Sequence, residues 1–181
     1  MEKGQQVPTD PQIDEQAVAL LLSTAQNEYS NEHERTATLD SKAGIALPII
    51  SAFFLAFAEM NNYKWIIDLP VNSFWTSLLP ITLFVSYTLG LVLALIAVVL
   101  MANVLFAKDY YRINPPDLYT EQNLMNRGND FSITLMHCYF KAIEYNRNTN
   151  NKRVESYQKS WKLTFLSVVC FVIYILIKNN S

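Results

Sequence analysis

LFVSYTLGLVLALIAVVLMANVLFA, residues Leu83 to Ala107, is the stretch on which the fold turns. No charged residue occurs between Asp68 and Lys108. A helix needs ~20 apolar residues to cross a ~30 Å hydrocarbon layer, so Leu79 to Ala107 predicts a membrane helix long enough to span with tilt. Two shorter apolar runs flank it: AGIALPIISAFFLAFA (Ala43 to Ala58, between Lys42 and Glu59) and LTFLSVVCFVIYILI (Leu163 to Ile177, between Lys162 and Lys178). Lysines at their ends can snorkel, and Trp161 and Tyr174 suit an interface. The segment before Ala43 is long and polar with no basic start, which argues against a signal peptide.

The expected fold is an all-α membrane protein with three transmembrane helices and a cytoplasmic helical domain continuous with the first and third spans. Its segments are a cytoplasmic N-terminal helix (1–42), span 1 (43–58), an outer loop (59–78), span 2 (79–107), a cytoplasmic helical domain (108–162), span 3 (163–177) and a tail (178–181). Nine of the chain's fourteen Lys and Arg residues fall in Lys108 to Lys162 and only Lys64 in Glu59 to Ser73. Positive charge favours the cytoplasmic side, so the N-terminus and the middle domain are expected inside. Met1 to Lys42 carries eight acids against three bases, Lys108 to Lys162 nine bases against six acids. Opposite net charges suggest that these segments pack together, or that the positive one faces anionic lipid. Cys138 and Cys170 fall in different compartments of this topology, so no disulfide is expected, and no Cys/His cluster offers a metal site.

Met1 to Thr9 reads as disordered, and Asp10-Pro11 as a helix start with Asp as N-cap and Pro at the first helical position. No Gly or Pro interrupts Gln12 to Lys42, so one long helix is expected to run into span 1, kinked at Pro48. Its apolar stripe is Ile13, Ala17, Leu20, Leu21 and Thr24, turning polar through Glu28, Glu32 and Arg35. Turns at Asn114 to Asp117 and Arg127 to Asp130 bracket a short helix, Leu118 to Asn126. A second long helix runs from Phe131 to Ile177, with the stripe Met136, Phe140, Ile143, Arg147, Asn150, Val154, Tyr157 and Trp161. Asn146 to Asn151 is poor in helix formers, which leaves a break there as the alternative.

Both long helices run toward the membrane and are therefore parallel. Glu28 and Arg147 each precede their span by a similar length, roughly 20 Å of helix. Glu28, Glu32 and Arg35 are then expected to face Arg147, Asn150 and Lys152 or Arg153. This polar belt has two readings. One is an ion-pair layer that fixes register or oligomer state, as polar residues do in coiled coils. The other is an anion pocket in which Arg147, Lys152 and Arg153 hold a phosphate and Tyr139, Tyr145 or Tyr157 stacks on a base. Near the membrane, Arg35, Asp40 and Lys42 form a coupling group with Lys159 and Lys162, Asp40 pairing with one of those two lysines. Lipid headgroups are the competing partners.

Catalytic motifs are missing: no Gly-rich phosphate loop, HExxH or nucleophile elbow. His137, in LMHCYF, reads as a core histidine rather than a base, and Arg127 is poorly placed to pair with it. No enzyme, cofactor, metal or direct nucleic-acid binding is expected. A transporter is disfavoured, because the spans hold no charged residue and show no internal repeat.

NEHERTATLDSKAGIALPIISAFFLA (Asn31 to Ala56), with Glu32 and Arg35 followed by Leu39-Asp40-Ser41-Lys42-Ala43, resembles the ExxR…(L/A)DxKA junction of membrane effectors in bacterial antiphage signalling, above all those of Pycsar systems. MHCYFKAIEYNRNTNNKRVESYQKSWKLTFLSVV (Met136 to Val169) is similar too; Lys108 to Asp130 is not. The resemblance implies an inner-membrane homo-oligomer that senses a cyclic nucleotide made by a partner cyclase and disrupts the bilayer to arrest or kill the cell. Arg35, Asp40 and Lys42 fall on the matched motif. The alternative is a non-toxic membrane scaffold whose cytoplasmic helices dock a partner protein.

Overall fold

A computed structural model describes residues 14–59, 74–106, 110–114 and 128–179. The expected N-terminal disorder, the Asp10-Pro11 start, most of the outer loop and the short helix Leu118 to Asn126 lie outside those residues. The described residues form three helices: α1 (Glu15–Glu59), α2 (Phe74–Phe106) and α3 (Gly128–Asn179). All three are long and apolar enough to cross a membrane, and no strand occurs among the described residues.

Each helix begins or continues for a local reason. Asp14 caps α1, its Oδ1 accepting the Gln16 N–H at 2.9 Å, so the described helix starts at an Asx cap after the expected one. Pro48 sits inside α1 and Pro80 inside α2 without ending either helix. The expected second long helix is continuous: α3 is one helix of 52 residues and does not break at Asn146 to Asn151. Weak propensity there is overridden because Asn146 and Asn150 are buried and hydrogen-bonded. The same helix starts at Gly128, one turn before the expected Phe131, where the Ser132 and Thr134 hydroxyls bond back to the Gly128 and Asp130 carbonyls.

The buried faces differ from the apolar stripes. In α1 the inward positions are Ala25, Glu32, Leu39, Ala43, Ala46 and Ile50, with Tyr29 and Thr36 half-buried between them. In α2 they are Leu83, Tyr87, Gly90, Ala94, Ala97, Met101 and Val104. In α3 they include Ile143, Asn146, Asn150, Arg153, Ser160, Thr164, Ser167, Phe171 and Tyr174. All three runs alternate steps of three and four, the spacing of left-handed coiled-coil packing. Ala17, Leu20, Leu21 and Thr24, the expected stripe of α1, are exposed, as are Phe140 and Trp161 of α3. His137 is exposed as well, so it is not a core histidine.

The chain divides into two compact units: Met1–Arg35 with Tyr110–Asn148, and Thr36–Asp109 with Thr149–Ser181. The second holds two hydrophobic clusters. Leu39, Ala43, Ala46 and Ile50 of α1 pack on Ala97, Met101 and Val104 of α2, with Val154, Tyr157 and Leu163 of α3 against them. Leu83 and Tyr87 pack on Phe171 and Tyr174, with Phe57 alongside. Hydroxyls stitch α2 to α3: Ser160 Oγ donates to the Ala97 carbonyl at 2.7 Å, Ser167 Oγ to Gly90 at 2.8 Å and Ser86 Oγ to Cys170 at 2.8 Å. These pairs run in opposite sequence directions, so α2 and α3 are antiparallel. Thr36 meets Asn150 and Asp40 meets Arg153, so α1 and α3 run parallel in this unit, as expected. Small residues and interhelical hydrogen bonds are what holds helices together where lipid supplies no hydrophobic drive. The Tyr87 hydroxyl also donates to the Phe57 carbonyl at 2.9 Å, satisfying one of the last acceptors of α1.

Candidate functional site

The first unit brings together α1, α3 and the segment Tyr110 to Asn114. Glu28 and Glu32 stand one turn apart on α1, and Arg147 of α3 reaches both. Its terminal nitrogen lies 3.1 Å from Glu28 Oε2 and its Nε 3.2 Å from Glu32 Oε1, dividing the guanidinium fork between two carboxylates. Arg35 approaches Glu32 at 3.6 Å from its own helix. Glu32 is the buried member, its side chain 7% exposed, whereas Arg147 and Glu28 are half exposed. Burying a carboxylate is costly without a hydrogen-bonding partner of opposite charge, and Arg147 is that partner. The outer Glu28 contact faces water and contributes much less.

A cluster of rings centres on Tyr29, the residue after Glu28. Tyr29 meets Tyr139 edge-on with centroids 5.5 Å apart, and Tyr110 lies 6.3 Å from Tyr29 and 5.6 Å from the His33 ring. The Tyr110 hydroxyl is buried and has no hydrogen-bond partner among the described residues. Burial, with Tyr29 and then Glu32 nearby, pushes its pKa up to about 12, opposed by Asn146 and Arg112. Because its folded pKa is raised, stability is unaffected by this group below pH 10 and falls as pH rises from about 10 to about 12, where the unfolded chain loses the proton that the folded one keeps. Absorbance titration near the tyrosinate band should show this late step vanish in Tyr110→Phe, with stability at neutral pH unchanged or slightly higher, since no bond is lost. A marked loss of stability in that variant would mean that the hydroxyl is bonded after all.

Asn146 secures the neighbouring segment. Its Oδ1 accepts the Tyr111 N–H at 2.8 Å and its Nδ2 donates to the Tyr111 carbonyl at 3.1 Å, as a second backbone would. Asn146 is fully buried. Asn146→Ala should therefore cost about 1–3 kcal/mol for each backbone group left unpaired, read as a lower unfolding midpoint and faster amide exchange at Tyr111.

The remaining expected residues divide among other contacts. Asn150 exchanges hydrogen bonds with Thr36 at 3.0 and 3.1 Å in the second unit. Arg153, also there, is buried against Asp40 and the Val104 carbonyl. Asp40 thus pairs with Arg153 rather than with Lys159 or Lys162, because the register that sets Thr36 beside Asn150 sets Asp40 one turn further on. Lys159 pairs instead with Glu155 of its own helix at 2.7 Å. Lys42, Lys152 and Lys162 are exposed and form no ion pair among the described residues. Of the candidate stacking tyrosines, Tyr139 joins Tyr29, Tyr145 packs on Tyr111, and Tyr157 packs on Trp161 in the second unit. No group of three potential metal ligands occurs among the described residues. No protein-family model, curated protein or solved structure matches this chain.

Tyr29, His33, Tyr110 and Asn146 are members that sequence reasoning did not select. The signal for Tyr29 was the seven-residue recurrence of Ala25, Glu32 and Leu39, which places it on the inward face. Tyr110 and the Asn146–Tyr111 pairing carry no sequence signal, since both depend on where the chain returns after α2.

Proposed function

We propose that this chain is an antiphage membrane effector. A cyclic nucleotide made by a partner cyclase is sensed in the unit that holds Arg147. Copies then assemble and disrupt the inner membrane, causing growth arrest or death. The N-terminal helix and residues 108–162 are cytoplasmic in this proposal. Support comes from the sequence resemblance at Asn31 to Ala56 and from one structural observation. An arginine shared by a buried and a half-exposed carboxylate lies in the same unit as a cluster of three tyrosines, one with an unpartnered hydroxyl.

The chemistry is an exchange of anions. A cyclic phosphate carries one negative charge, and Arg147 can accept it bidentately if Glu28 leaves while Glu32 stays. Glu28 is the replaceable partner because its contact is half exposed and weak. Tyr29 and Tyr139 offer ring faces to a base, and the Tyr110 hydroxyl offers a donor. Both α1 and α3 continue from these residues into stretches apolar enough to span, so a change in their packing has a covalent route to the membrane.

The test is membrane potential in cells expressing the chain with and without a nucleotide cyclase, alongside Arg147→Glu and Arg147→Lys. Cyclase-dependent depolarisation that Arg147→Glu abolishes and Arg147→Lys partly keeps is the expected result. A second reading has its own observation: Arg147 is already paired with two carboxylates, which suits a register-fixing ion-pair layer in a non-toxic scaffold that docks a partner protein. Properly inserted protein that never depolarises cells, whatever cyclase accompanies it, would make the scaffold the function.

A further inference from the structure

The hydrogen bonds between α2 and α3 fix which residues of the second unit share a height. Arg153 meets the Val104 carbonyl, Ser160 that of Ala97 and Ser167 that of Gly90, so seven residues along α3 match seven back along α2. Lys159 and Lys162 therefore lie level with Val98 and Leu95. The Thr36–Asn150 and Asp40–Arg153 pairs carry this register to α1, which sets Ile45 to Ile49 at the same height. There α1 exposes Ile45, Pro48 and Ile49, and α2 exposes Leu95, Ile96 and Val99. Only α3 exposes charge at that height: Lys159 and Lys162, beside Gln158 and Trp161. On α2 the charge-free surface runs eleven residues further, to the exposed Phe106, roughly 16 Å of helix. Helix side chains lean toward the N-terminus, here the side on which α2 ends, but an extended lysine reaches only about 6 Å. The rest of the step has to be met by tilt or by headgroups that come down to α3.

From this mismatch we infer that the outer face of α3 binds an anionic phospholipid, its phosphate on Lys162 and its chains along Phe165 and Leu166. The face carries both halves of that amphiphile. Lys162 is exposed and forms no ion pair among the described residues, whereas Lys159 is engaged by Glu155 at 2.7 Å. The group thus has one net positive charge, matched by the single negative charge of a phosphodiester. Phe165 and Leu166, one turn further along α3, are 72% and 48% exposed, and the Trp161 indole suits the headgroup level. An acidic protein patch would complement Lys162 alone; a phospholipid complements the lysine and the apolar turn together. The inference rests on the helices spanning a bilayer and on nothing else in the proposed function.

The experiment uses the full chain, with Trp65→Phe and Trp75→Phe leaving Trp161 as its one tryptophan. It is placed in vesicles of phosphatidylcholine and phosphatidylglycerol, with bromine carried on the chains of one lipid or the other. Trp161 quenching should show a preference of about fivefold for phosphatidylglycerol, the worth of one lysine at an anionic surface. Lys162→Gln should bring that preference close to one. Lys152→Gln makes the same charge change roughly 15 Å away on the same helix and should leave it unaltered. Equal quenching by the two lipids in the parent would overturn the inference, as would an equal loss in Lys152→Gln. So would erasure of the preference by inorganic phosphate, which would mark a site for a free anion. Val92→Trp, with Trp161→Phe added, reports separately whether α2 meets lipid. Quenching there with none at Trp161 would show that protein covers α3, sinking the inference and leaving the spans intact. Quenching at neither position would remove the spans as well. No cyclase is present, so none of these outcomes depends on whether cells depolarise.

Discussion

Arg153→Ala will give the largest loss of stability in the chain, about 3–5 kcal/mol, the cost of breaking a buried ion pair by removing one partner. The Arg153 side chain is 5% exposed. Its Nε and terminal nitrogen donate to the Val104 carbonyl at 2.9 and 2.7 Å, and the same nitrogen reaches the Asp40 carboxylate. Val104 lies in the final turn of α2, where carbonyls have no partner within their own helix. The guanidinium therefore caps α2, neutralises Asp40 of α1 and belongs to α3. A cation at a helix C-terminus gains further from the negative end of the dipole. Without it, the Val104 carbonyl is buried with no donor, and Asp40 keeps a charge with no countercharge. Arg153→Lys should recover only part, because one ammonium cannot reproduce the fork. Asp40→Asn should cost less than Arg153→Ala, and the double variant Asp40→Asn/Arg153→Ala should lose less stability than the two single losses added together. Unfolding in mixed micelles followed by far-UV dichroism measures all of these. A midpoint for Arg153→Ala within error of the parent would show that the contact carries no stability.

The second large effect is steric. Gly90→Leu should destabilise the second unit by about 1–3 kcal/mol or more, the usual range for overpacking a filled interior. A Cβ at Gly90 would stand 3.0 and 3.1 Å from two ring carbons of Phe171 and 3.3 Å from the Cys170 Cβ. Phe171 has nowhere to move: its ring stacks on Phe57 at 3.5 Å and meets Tyr87 edge-on at 5.9 Å. Ser167 meanwhile holds the Gly90 carbonyl, so α2 and α3 cannot part without losing that bond. Gly90→Ala should already be measurable, and Phe171→Leu should relieve Gly90→Leu in part by opening the space that the added side chain fills. If Phe171→Leu and Gly90→Leu were simply additive, the clash would lie elsewhere.

Much of the fold was legible because it depends on composition along a line. The uncharged run to Ala107 and the two shorter ones predict three long helices, and the described residues hold three. The absence of Gly and Pro through Gln12 to Lys42 and from Phe131 onward predicts helices that do not stop at the expected membrane edge, and α1 and α3 do not stop. The Glu28, Glu32 and Arg147 contact was also legible, because equal distances to the spans on parallel helices set their register. The choice of face was not legible. Hydropathy placed Leu20, Leu21 and Phe140 inside and read Asn146, Asn150 and Arg153 as a break or a ligand belt. In water the apolar side of a helix is the buried one. Asn146, Asn150 and Arg153 can take the inner face because each is hydrogen-bonded there. In the apolar stretches of α2 and α3, where lipid would solvate the outer face, polar groups turn inward provided every donor finds an acceptor. Ser160, Ser167 and Ser86 meet that condition on carbonyls of the neighbouring helix.

The sequence by itself determined that three stretches form long apolar helices and that α1 and α3 run parallel, since charge spacing and the lack of helix breakers act locally. Only the tertiary structure decided which residues meet: that Asp40 finds Arg153 and not a lysine, that Asn146 holds the Tyr111 backbone, that Tyr110 is buried with its hydroxyl unmatched. Those pairings are fixed by helix register and by the return of the chain after α2. Both are set by how side chains interlock across helices, a property that no single helix carries alone.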